Sequence, residues 1–67
     1  MFGIYLSNNN ESRRISEFKD TKTEAYQDMR TRYERLKKSF VVSPLGEHSF
    51  AYVNKEGEIE LVEISHR

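Results

Sequence analysis

Chemistry needs particular side chains at particular spacings, and few stand in this 67-residue chain. His48 and His66 are the only histidines, eighteen residues apart, and there is no cysteine. Neither a His-x-x-x-His spacing nor a histidine with two nearby carboxylates is present, so both imidazoles read as surface groups rather than zinc ligands. Glu47-His48-Ser49 sets an acid, a base and a hydroxyl in succession. Neighbours on a strand point to opposite faces, so these three cannot meet as a catalytic relay. Glu56, Glu58, Glu60 and Glu63 form a second acidic series. Glu58 and Glu60 would share a strand face about 7 Å apart, yet no Asp-x-Asp pattern supplies further oxygen ligands. The series reads as a solvated face that discourages edge pairing. Three isolated glycines cannot build a phosphate loop. The residues therefore predict no catalytic group, cofactor or metal site.

Basic side chains offer the next chemistry. Eleven Lys and Arg balance eleven Asp and Glu, so the chain lacks the overall positive charge of a dedicated DNA binder. The balance hides a gradient. Residues 1–39 hold nine basic and six acidic groups, a net of +3, and residues 40–67 hold two and five, a net of −3. Arg30, Arg32, Arg35, Lys37 and Lys38 crowd five cations into nine residues. On a helical wheel they scatter around the apolar stripe instead of lining one groove. Contact with nucleic acid through Arg13, Arg14, Arg30, Arg35, Lys37 and Lys38 stays open as the alternative function. A basic helix beside an acidic hairpin would equally suit an acidic protein surface or a second copy of the chain.

The elements that must position these groups are legible in the patterning. Phe2, Ile4 and Leu6 alternate with Gly3 and Tyr5, as a half-buried strand requires, and Asn8-Asn9-Asn10 supplies turn chemistry. Arg13 to Phe18 reads as a return strand, although the three-residue gap between Ile15 and Phe18 implies a bulge or an early end. Thr21-Lys22-Thr23-Glu24 has capping-box spacing. Tyr26, Met29, Tyr33, Leu36 and Phe40 then span about 80° of a helix running from Lys22 to about Ser39, with acid-first pairs Asp28–Arg32 and Glu34–Lys38. Ser43-Pro44-Leu45-Gly46 reads as a loop. Ser49–Val53 and Glu58–Ile64 read as strands joined by a turn at Asn54-Lys55-Glu56-Gly57, with Gly57 left-handed. In the last strand Ile59 and Leu61 point one way and Val62 and Ile64 the other, so both of its faces need cover.

These elements predict one α+β domain over residues 1–67. One helix packs on a small antiparallel sheet of three or four strands, β-β-α-β-β, or β-α-β-β if Arg13 to Phe18 does not pair. A chain this short buries only about 60% of its unfolded surface, so oligomerisation is expected. No stretch suits a membrane span or a secretory signal, which predicts a soluble, cytoplasmic protein. The expected homodimer or partner interface is the face or edge of the last hairpin, around Tyr52, Ile59, Leu61, Val62 and Ile64. Tyr5 and Tyr52 are the strand aromatics that could anchor it.

The junction Phe18-x-x-Thr21-x-x-Glu24-Ala25 resembles the strand-to-helix joint of phage and integrase arm-type DNA-binding domains. Those domains carry three strands before the helix and a more basic sheet. This chain has at most two there and an acidic hairpin afterwards, so their DNA-binding role does not transfer. In size and element order the whole chain resembles the small Bacillus prophage proteins of the Yopt type. That resemblance rests on outline and implies a phage or prophage setting and a homodimer. The sequence thus points to a non-catalytic interaction or regulatory protein and names no activity.

Overall fold

The alternation of apolar residues organises the whole sheet. The computed structural model describes residues 1–9 and 11–66. Its elements are β1 (Phe2–Asn8), β2 (Glu11–Arg14), α1 (Lys22–Lys37), β3 (Val42–Gly46), β4 (Ser49–Val53) and β5 (Ile59–His66). The strands form one antiparallel sheet in the order β2-β1-β5-β4-β3. The protein is therefore α+β, one helix on a small antiparallel sheet, with five strands where three or four were expected. The additional strand is β3, which covers the residues read as a loop. Pro44 pairs with Phe50 there. Proline donates no N–H, and an edge strand is where a sheet tolerates that.

Register explains the core. Ile4 stands opposite Ile64 and Leu6 opposite Val62, while Phe50 is the other neighbour of Val62. Directly opposed residues share a face, so these side chains form one apolar layer beneath α1. Ile4, Met29, Phe50, Tyr52 and Val62 are buried together, with Leu6, Ile15, Tyr33, Leu36, Phe40, Val42 and Ile64 packed around them. Tyr33 meets Phe50 edge-on at 5.4 Å, and the Phe40 and Tyr52 rings lie 5.2 Å apart.

The helix sits as its caps dictate. Thr21 is the N-cap, and its hydroxyl accepts from the Glu24 N–H at 3.3 Å and donates to the Glu24 carboxylate at 3.1 Å. Asp28 and Arg32 pair at 3.0 Å. The buried face is rotated from the expected stripe towards Ala25 and Arg32. Ala25 is fully buried and Arg32 half-buried, whereas Tyr26 is 42% exposed. Part of the reason is a tether, because Arg32 Nη2 donates to the Ile15 carbonyl at 3.0 Å.

The second strand lies earlier than the sequence implied, at Glu11–Arg14 instead of Arg13–Phe18. Asn9 is left-handed (φ 53°), as a turn asparagine tolerates, and Asn10 lies outside the described residues. Beyond β2, Ile15 N–H donates to the Ile4 carbonyl, and Phe2 and Lys19 exchange two backbone bonds. Three residues, 16–18, thus stand against the single Gly3. The Ser16 hydroxyl fills the gap by accepting from Ile4 N–H at 3.0 Å. This excursion carries Phe18 across to the helix-free side, over Gly3. A Cβ at Gly3 would lie 3.2–3.3 Å from Arg14, Tyr5 and Phe18 side-chain carbons.

The β4–β5 turn has the expected chemistry. Gly57 N–H donates to the Asn54 carbonyl at 3.0 Å, and Asn54 Oδ1 accepts from the N–H groups of Glu56 and Glu58. Gly57 has φ 82°, and no atom lies within 4 Å of where a Cβ would stand, so only backbone strain opposes a side chain there. Gly57→Ala should therefore cost about 1 kcal/mol. Gly46→Ala, where a Cβ would make ordinary contact with the Ser49 hydroxyl, should be close to neutral. Urea unfolding of the two variants measures the difference.

Candidate interaction surface

The helix lies on one face of the sheet, and among the described residues no second element covers the other face. Because paired residues share a face, the register reads out this surface row by row. Arg14, Tyr5, Glu63 and Ser49 form one row. Ser12, Ser7, Leu61, Ala51 and Ser43 form the next. Val53 then stands opposite Ile59. Charge is therefore concentrated at one end and apolar side chains at the end of the β4–β5 hairpin.

That apolar end is open. Ile59 is 68% exposed, Val53 52% and the neighbouring Val41 89%, with Ala51 and Leu61 half-buried between strands. Val41, Ser43, Ala51, Val53 and Ile59 border a shallow depression of about 560 Å³, which Phe40 and Tyr52 close from the helix side. Contiguous exposed apolar side chains rimmed by polar ones mark interaction surfaces more often than scattered ones do. Phe18, stacked under the Arg14 guanidinium at 4.0 Å, covers the far corner.

The five residues expected at an interface are divided by the sheet. Ile59 and Leu61 lie on the helix-free face. Tyr52 and Val62 are 9% and 1% exposed beneath α1, and Ile64 packs against the same core. Alternation along β5 separated Ile59 and Leu61 from Val62 and Ile64, but it could not say which set the helix covers. Ala51, Val53 and Val41 were not singled out from the sequence; the signal for the first two is their register with Leu61 and Ile59. The edge of the last hairpin is not available either. β5 lies between β1 and β4, and β3 covers the outer side of β4.

The cations proposed for nucleic acid are brought together only in part. Arg13 and Arg14 point to opposite faces of β2. Arg30, Arg35 and Lys38 border one shallow depression on the outer side of α1, while Lys37 lies 5.6 Å from the Tyr33 ring centre. The acidic series is similarly dispersed. Glu58 accepts from the Asn9 amide, Glu60 accepts from the Tyr52 hydroxyl at 3.3 Å, and Glu63 lies on the helix-free face. His66 lies against Phe2 with ring centres 4.7 Å apart, and His48 meets Tyr26 edge-on at 5.8 Å.

No protein-family model, curated protein or solved structure matches this chain. Among the described residues, no helix is long and apolar enough to cross a membrane.

Tyr52 joins the core to the polar rim. Burial raises its phenol above the ordinary 10.0, the Glu60 carboxylate raises it further by charge and hydrogen bond, and Arg13 opposes both. A raised folded-state pKa means that the folded form holds the proton more tightly. The associated stability is complete below the unfolded value and is lost as pH rises through the folded one. Stability to urea should therefore fall above about pH 10, and the fall should be smaller in Tyr52→Phe.

Proposed function

We propose that the protein is a small non-catalytic interaction or regulatory protein that works as a homodimer. The two copies pair through the apolar end of their helix-free sheet faces. The observation that carries this reading is the contiguous exposure of Val41, Val53 and Ile59 beside Ala51 and Leu61. No charged side chain stands in the Leu61–Ala51–Ser43 row or the Ile59–Val53 pair, so two such surfaces meet without like-charge repulsion. Two-fold pairing of one patch with itself is the commonest arrangement of soluble oligomers. A chain of 8.0 kDa also has little core of its own. The outline resemblance to Yopt-type prophage proteins supports a dimer and adds a phage or prophage setting to the proposal.

The sheet edges favour a face over an edge as the site of pairing. β2 is a four-residue strand of exposed polar and charged side chains, and β3 carries Pro44. Both are devices that discourage strand addition. Nucleic-acid binding is less well supported, because only Arg30, Arg35 and Lys38 share one depression, with Glu34 among them, and Arg13 and Arg14 face opposite sides of β2.

Sedimentation equilibrium at concentrations on the order of 100 μM should give twice the 8.0 kDa chain mass. Ile59→Lys places a charge in the patch without touching the buried core. It should restore the 8.0 kDa particle with an unchanged circular-dichroism spectrum. A wild-type chain that sediments only as a monomer overturns the reading.

A further inference from the structure

A second opening lies on the helix side of the sheet, between α1 and the edge formed by β1 and β2, and it is independent of the proposed dimer face. It encloses about 290 Å³. Leu6, Ile15, Leu36, Phe50 and Val62 make its apolar lining, and the Tyr52 ring completes it. Arginines border it. Arg32 and Arg35 line it from the helix, and Arg13 stands beside Leu6 on the same sheet face.

These guanidinium groups are not equivalent. Arg32 is already engaged, donating from Nε to Asp28 and from Nη2 to the Ile15 carbonyl, each at 3.0 Å. It serves as a fixed wall. The Arg35 and Arg13 side chains make no hydrogen bond or ion pair with any described residue. An apolar hollow is thus bordered by Arg35, a guanidinium with no ion-pair partner among the described residues. Water gains little from apolar walls, and a guanidinium presents a planar donor fork that fits a carboxylate.

We infer that this cleft binds a small amphipathic anion, an alkyl carboxylate whose chain lies on Leu6, Leu36 and Val62 and whose carboxylate is taken by Arg35. The volume is at the lower limit of the roughly 300–1,000 Å³ of small-molecule sites, which restricts the occupant to a short chain of about eight carbons. The cleft is also half open, so the headgroup remains at the surface where Arg35 is exposed.

Titration of the isotope-labelled full chain with octanoate, followed by amide resonances, tests the inference. Octanol serves as the uncharged control of equal chain length. Octanoate should shift the amides of Leu6, Ile15, Leu36 and Val62 saturably, and octanol should bind about tenfold more weakly. Arg35→Gln should weaken octanoate about tenfold and leave octanol unchanged, while Arg35→Lys, which keeps the charge but loses the planar fork, should weaken octanoate to a smaller extent. The inference is overturned if millimolar octanoate produces no saturable shift at these amides, if octanol binds equally well, or if Arg35→Gln leaves the octanoate affinity intact. The octanoate–octanol comparison on the wild-type chain decides the matter even if a variant does not fold.

Discussion

A single helix can shield only part of a five-stranded sheet, and both proposed surfaces follow from that mismatch. Five strands about 4.8 Å apart make a sheet about 19 Å wide, whereas a helix with its side chains measures about 10–12 Å across. One face is left without a helix. On the other face α1 lies over the centre and cannot fill the space out to the β2 edge. The helix-free face carries the patch around Ile59 and Val53, and the unfilled flank is the arginine-bordered cleft beside Leu36. Neither would exist with a second helix.

Within that limit the molecule uses its few apolar residues economically. The first and last strands, β1 and β5, lie side by side at the centre of the sheet and share seven register pairs. Strands from opposite ends of the element order are thereby joined in one layer. The residues between β2 and α1 serve two faces at once. Ile15 enters the core beneath the helix, and Phe18 crosses to the other side, where the absence of a side chain at Gly3 admits it beside Tyr5 and Arg14. The charged end of the helix-free face is thus closed by Phe18, and the uncharged end is left exposed.

The parts of this fold that could be read from sequence are those governed by local rules. The Thr21 cap, the helix length, the Asp28–Arg32 pair and the left-handed Gly57 all depend on residues within about one turn of each other. The two-faced character of β5 was also legible, since alternation sorts Ile59 and Leu61 from Val62 and Ile64. Pro44 and Gly46 obscured β3, because turn chemistry and edge-strand chemistry use the same residues. Tyr26 entered the expected apolar stripe by spacing alone. The contact of Arg32 with the Ile15 carbonyl, made across seventeen residues of sequence, helps to turn the helix away from it. The make-up of the helix-free face was only half legible for a related reason. Alternation assigns residues to faces within one strand, while register between strands decides that Tyr52 joins Val62 under the helix and Val53 joins Ile59 outside it.

In the proposed dimer the Ile59–Val53 end of the helix-free face is covered by a second copy. The most direct measurement is a filtered nuclear Overhauser experiment on an equimolar mixture of carbon-13-labelled and unlabelled chains. Cross-peaks between labelled and unlabelled copies should connect the methyl groups of Ile59, Val53 and Leu61, and should be absent from the buried Ile4 and Val62 methyls. Intermolecular contacts confined to other surfaces, or none at all with these methyls fully reached by a paramagnetic agent in the solvent, would contradict it.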